Sequence, residues 1–307
     1  AGDCRGYLLG EAHKGLSYMF QMMNEARIGV GANATSIASA AYYNSLEYAN
    51  VRAQGRKLTE KDPNKPQTPI INHADVKRML LFQKAIVEGS LSLVAQACIY
   101  YDNWKTSEGA EKEANFLKLE LLTPIVKSYP AEMSILSTSA ALQIFGGYGY
   151  TKEFMAELFF RETRIHTIHE GATAIHGMDL LGRKVMMKDG QATMLLMQEV
   201  MGDIEKAKQH ESLKPYAEAL EKKLVNLQEI TVHLLGVAQS KGPEAYLSDA
   251  TLYLELFSIL TIAWQWLKQG VTAEELKAAG SKQYSNEFIA SKHHALQYFF
   301  EYELPKT

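Results

Sequence analysis

Apolar residues recur at helical spacing through most of the chain and alternate with period two almost nowhere. From Leu16 to about Arg52, the residues Leu16, Met19, Phe20 and Met23 share one face, and no proline interrupts the run. The middle of this stretch, RIGVGANATSIASAA, is rich in small residues. Such residues let a neighbouring backbone come close, and equally tolerate plain burial. Pro63, Pro66 and Pro69, set among charges, then predict a solvated loop. Helical spacing returns from about Ala74 to Trp104 through Val76, Met79, Leu80, Leu91, Val94 and Cys98. KTSEGAEKE reads as a polar turn. A third helix is predicted from about Ala114 to Phe145, with Leu117, Leu121, Ile125 and Val126 on its apolar face and Pro124 and Pro130 as sites of kinking or division. The glycine-rich GGYGY breaks the pattern, and a fourth helix is predicted from about Thr173 to Met187.

Beyond KDGQ lie three more long amphipathic stretches, bounded by Gly or Pro. Leu220, Leu224, Leu227, Leu234 and Val237 form a stripe on one of them, which reads as a core face. The predicted architecture is all-α: a four-helix up-and-down bundle over 16–187, then a second helical domain over 188–307. The opening AGDCRGYLLGEAHKG, over 1–15, reads as a short strand entering a loop.

Composition narrows the function classes. The 307 residues are 47% hydrophobic, enough for a packed core. A net charge of -3 with both signs interspersed leaves no basic patch for nucleic acid or an anionic membrane. The two cysteines, Cys4 and Cys98, are far apart, which argues against a disulfide framework or a thiolate zinc site and for a reducing, cytoplasmic setting. No apolar run reads as long enough to span a membrane.

The polar feature that stands out is RIHTIHEGATAIHGMDLLGRKV, starting at Arg164. His166, His169 and His176 flank Glu170, but spacings of three and seven do not fit a helical zinc site, and no paired Glu-x-x-His supports a diiron site. No metal is therefore expected. Glu170 instead reads as a general base, with Ile165, Ile168 and Ile175 as candidates to desolvate it and raise its pKa. A solvated or helix-capping glutamate is the alternative that these residues leave open.

Four separated segments bring in a family. MNEARIGVGANA from Met23, YANVRAQGRKL from Tyr48, ALQIFGGYGY from Ala141 and FFRETRIHTIHEGATAIHGMDLLGRKV from Phe159 resemble the C-terminal α-domain of flavin-dependent acyl-CoA dehydrogenases. The part after Lys188 resembles the extra C-terminal domain of a longer subgroup, typified by methylmercaptopropionyl-CoA dehydrogenases.

The resemblance implies FAD as cofactor, an acyl-CoA substrate and α,β-dehydrogenation to a trans-2-enoyl-CoA. It implies electron-transfer flavoprotein as acceptor and a homodimer or tetramer. Glu170 falls on the catalytic base. In the family, the thioester oxygen takes hydrogen bonds from the base's own backbone N–H and from a flavin ribityl hydroxyl. Arg52 matches an arginine that reaches the flavin pyrophosphate of a partner subunit, with Gln54 beside it. Gln143, Gly146 and Gly147 match a segment along the adenosine half, where glycine permits close approach and also marks a helix end. Arg27 and Gly171 fall at the substrate side of the site, although Arg27 could equally support helix packing.

Two departures stand out. Ala172 occupies a position usually held by threonine, with Thr173 one residue later, and His169 replaces the usual tyrosine. The resemblance also implies that this chain is a C-terminal fragment, that it binds flavin poorly and that it does not turn over alone. A non-catalytic helical oligomerisation module and an acyl-CoA oxidase are the competing readings.

Overall fold

The computed structural model describes residues 2–280 and 282–307, with the side chains of residues 20 and 21 left out; the placement of Phe20 on the first apolar face, and Ala1, thus lie outside the described residues. The described residues are all-α and contain no strand. Three long helices dominate: α1 (Gly15–Val51), α2 (Ala74–Thr106) and α3 (Gly109–Phe145). Then come the short α4 (Ala156–Thr163) and α5 (Thr173–Asp179), followed by α6 (Gln191–Lys208), α7 (Lys214–Lys241), α8 (Pro243–Leu247), α9 (Ala250–Ala278) and α10 (Asn286–Tyr298).

The small residues of α1 serve close packing. A Cβ on Gly31 would collide with the backbone carbonyl of Val126 in α3. Pro130 has no N–H, so it leaves this same carbonyl without its helical donor. The bare Cα of Gly31 packs against that gap, the kind of contact in which a Cα–H faces a carbonyl. Of the two outcomes expected of Pro124 and Pro130, division does not occur: α3 runs unbroken, packed along its length by α1 and α2. The polar turn shrinks to Ser107 and Glu108 between α2 and α3.

The predicted fourth helix is interrupted. α5 stops at Asp179 and passes into a π-helical turn, Leu180–Lys184. The Tyr246 hydroxyl donates to the Leu181 carbonyl at 2.6 Å, a contact that competes with regular α-helical pairing. Gly177 lets α5 lie directly on α9, since a Cβ there would meet the Ala250 carbonyl at 2.7 Å.

A single hydrophobic cluster runs from α2 and α3 through α9 into α6, α7 and α10. Trp264 and Trp266 of α9 are fully buried in it. Trp266 Nε1 donates to the Ala85 carbonyl of α2 at 3.1 Å, in a recess that Gly89 keeps open. By length and composition α9 is apolar enough to cross a membrane, which corrects the sequence expectation, and 78% of its most apolar window is buried inside the fold. The expected opening strand does not form either. Residues 2–14 are irregular and exposed, with no neighbouring strand to pair their backbone groups.

Candidate active site

Two regions carry the candidate residues. The first is a cleft where the end of α1 meets the end of α3. The Tyr48 ring stacks on Phe145 with centroids 4.3 Å apart, which joins the two helix ends. Past Val51 the chain doubles back: Ile70 N–H donates to the Arg52 carbonyl at 2.8 Å, and Gln54 N–H to the Thr68 carbonyl at 3.0 Å. His73 Nε2 donates to the Gln54 carbonyl at 2.8 Å. α3 ends at Gly146 with φ +60°, a conformation that favours glycine, and a 3₁₀ turn, Gly146–Tyr150, follows.

Arg52, Gln54, Gln143, Gly146 and Gly147 all line this cleft of about 760 Å³. The Arg52 guanidinium sits over the Tyr148 ring, 5.3 Å from its centroid, and its buried Nε has no partner. The space above both glycines is open, with nothing within 4 Å of where a Cβ would be. A guanidinium with an unspent donor, two side-chain amides and bare backbone fit the phosphate and sugar groups of a dinucleotide.

The second region is the Glu170 turn. A 3₁₀ segment, Arg164–Thr167, leads into it, and Ala172 caps α5 on its far side. Glu170 and Gly171 both have left-handed backbones, with φ +54° and +95°. For glutamate this costs about 1–2 kcal/mol, so surrounding contacts must hold it. Two buried side chains do. Lys127 Nζ donates to the Gly171 carbonyl at 2.6 Å, and His176 Nε2 donates to the Glu170 carbonyl at 3.1 Å. Gly171 is required as well, because a Cβ there would lie 2.9 Å from His176 Nε2.

Burial pushes the Lys127 ammonium down to about 8, with Arg27 opposing the charge and Glu132 and Glu170 favouring it. Burial pushes His176 down to about 4, reinforced by Arg27 and Lys127, so its imidazole is neutral at pH 7.

The Glu170 carboxylate is exposed. Ile165, Ile168 and Ile175 are 47%, 54% and 48% exposed, so the desolvation expected of them is not built. About half of each side chain stays open to solvent, and Ile175 borders the cavity lined by Arg27 and Glu120. The three histidines separate in role: His166 is buried 5.4 Å from the His169 ring, His169 Nδ1 turns back to the Ile165 carbonyl, and His176 holds the turn. Among the described residues, no group of three or more His, Cys, Asp or Glu is placed to hold a metal. Thr173, offset from the usual threonine position, hydrogen-bonds Glu132 of α3.

Arg27 is buried and pairs with Asp179 at 3.4 Å, while Asp179 also meets Arg183 at 3.3 Å. It lines a separate cavity of about 550 Å³ with Glu120 and Lys184. Gln143 lies roughly 24 Å further along α3 than Lys127, at 1.5 Å of rise per residue. The cleft and the Glu170 turn are therefore distinct stations on one helix. Sequence reasoning missed Lys127 and His176 as holders of the turn. The signal for Lys127 was a lone cation in the apolar run LLTPIVKSYP.

Comparison with known proteins identifies the family. The family model described as Acyl-CoA dehydrogenase, C-terminal domain, matches residues 13–186. A second, Acetyl-CoA dehydrogenase C-terminal like, matches residues 196–307. This chain belongs to the acyl-CoA dehydrogenase family. It is 35% identical over 293 residues to a 3-methylmercaptopropionyl-CoA dehydrogenase of Ruegeria pomeroyi, covering 94% of this chain and 49% of that protein. It is 36% identical over 195 residues to a butyryl-CoA dehydrogenase of Syntrophomonas wolfei, covering 62% of this chain and 32% of that one. The fold matches an acyl-CoA dehydrogenase from Bacillus anthracis, solved with FAD, at TM-score 0.70 and 20% identity over 97% of this chain and 50% of the other. The chain thus spans about half the length, or less, of these relatives.

Proposed function

We propose that this chain is the helical half of an FAD-dependent acyl-CoA dehydrogenase, which converts an acyl-CoA thioester to a trans-2-enoyl-CoA. The supporting observation is the convergence of Arg52, Gln54, Gln143, Gly146 and Gly147, from two distant parts of the sequence, on one cleft. The Glu170 carboxylate, held outward on a strained turn, takes the α proton of the thioester as general base. In this reading the Glu170 backbone N–H faces the negative charge that develops on the thioester oxygen. Arg52, Gln54 and Gln143 would hold the pyrophosphate and adenosine side of FAD. When bound, FAD supplies the acceptor for the hydride that leaves the β carbon.

The separation of about 24 Å along α3 supports a further element of the reading. The cleft would hold the adenosine and pyrophosphate end of a flavin shared with another copy, and the active form would then be a homodimer or tetramer. Electron-transfer flavoprotein is the acceptor in this scheme. Cys4 and Cys98, both free, support a cytoplasmic setting. The half-exposed isoleucines around Glu170 support weak flavin retention by this chain alone, and stoichiometric flavin absorbance in the purified chain would contradict that.

In the full-length protein, Glu170→Gln is expected to lower turnover by about 10²–10⁴-fold with flavin still bound. Turnover at the parent rate would overturn the proposal.

A further inference from the structure

We infer that Lys127 is a positioning residue for the Glu170–Gly171 turn: with His176 it holds two successive carbonyls inward and so aims the backbone N–H groups of Gly171 and Ala172 outward, beside the Glu170 carboxylate. Its catalytic consequence rests on the function proposed above; the clamp itself does not.

The geometry is that of planar trans peptides. In such a unit C=O and N–H point in opposite directions. The Glu170 carbonyl points inward to His176 Nε2, so the Gly171 N–H points outward. The Gly171 carbonyl points inward to Lys127 Nζ, so the Ala172 N–H points outward. Among the described residues, neither N–H has an acceptor within the chain. A shift of either carbonyl therefore rotates the backbone that carries the Glu170 carboxylate.

The two clamps differ in kind. His176 is neutral, so it has one N–H to give; Nε2 carries it, and the buried Nδ1 is left without a partner. Lys127 is a cation set fully inside the bundle, and the Gly171 carbonyl is its hydrogen-bond acceptor. The charged and titratable groups that face it are Arg27 from α1, Glu132 from α3, Glu170 itself, and His166 and His176 on either side of the turn. Loss of its proton near pH 8 removes the charge-assisted bond to Gly171 and leaves a weaker neutral donor. The turn then loosens where its strained backbone most needs support.

Lys127→Met in the full-length holoenzyme tests this. The expected result is a kcat lower by about 100-fold, since a misplacement of about 1 Å carries such a penalty. Flavin content and KM should stay near parent values, and the fall in activity above about pH 8 should disappear. Lys127→Arg, which keeps charge and donor, should recover part of kcat. An unchanged kcat and pH profile in Lys127→Met would overturn the inference.

If Lys127→Met does not fold, amide exchange of the unaltered chain decides. Exchange of the Ile168 and His169 amides, which bond the Ile165 carbonyl at the entry to the turn, should accelerate beyond its intrinsic base dependence as pH passes about 8. Exchange that follows only the intrinsic dependence would overturn the inference. Retained turnover in Glu170→Gln would sink the functional proposal but leave this exchange result intact, so the two can fail separately.

Discussion

In the cleft between α1 and α3, the side chains that would bind are themselves the contact groups, and helix ends set their positions. At the Glu170 turn the reverse holds. The carboxylate that would react is positioned through its backbone by two other side chains, buried beneath it. The cleft follows from regular structure and one glycine end. The turn depends on strain, on a buried cation and on a neutral histidine. A binding surface can be laid out by secondary structure alone, whereas a reacting group in a strained conformation needs support from outside its own segment.

The largest way to sharpen this contrast is Gly171→Ala. Its Cβ meets His176 Nε2 and its backbone is left-handed, so a loss of about 3 kcal/mol in stability is expected, read by chemical denaturation of this chain. A loss below about 1 kcal/mol would mean that the turn is looser than drawn. Arg52→Ala should act in the opposite way. It should weaken flavin binding by about 2 kcal/mol, or roughly 30-fold, in the full-length protein, measured by flavin titration. The melting temperature of the flavin-free protein should barely move. A large drop in that temperature would show that Arg52 supports the fold rather than the ligand.

The third test is pH. His176 is held neutral in the fold at about 4, below its ordinary value of 6.5. The unfolded chain therefore binds more protons between those values. Stability is fully present above pH 6.5 and is lost as pH falls toward 4, by up to about 1.4 kcal/mol per pH unit. His166, also pushed down by burial, adds to the same limb. Denaturation midpoints at several pH values should show this slope, and His176→Gln should flatten it. Gly146→Ala carries the smallest effect, about 1 kcal/mol, because the backbone is strained but the space around it is open. If it matched Gly171→Ala, the distinction between cleft and turn would collapse.

The helices were readable because an apolar stripe on each had to face a common core, and spacing records that directly. Glu170 and the five cleft residues were singled out through the family resemblance; the structure adds that the five line one cleft, and their roles stay with the proposal above. What sequence could not convey was contact with backbone atoms. Lys127 meets a carbonyl 44 positions away, and nothing about residue type marks which carbonyl a lysine will find. The isoleucines near Glu170 were misread because apolar identity does not say on which side cover lies. The fourth helix was drawn too long because its apolar spacing continues through Leu180 and Leu181, where the Tyr246 hydroxyl draws the backbone into a wider turn.

Gly89 bears on how the C-terminal helices are joined to the bundle. Its missing side chain is the socket for Trp266, whose Nε1 would lie 2.9 Å from an added Cβ. A bulkier residue at this position would push α9 off α2, and with it the segment that overlies α5. Gly89 thus acts as a keyhole: the seating of the whole C-terminal half on the bundle passes through the space of one absent methyl group.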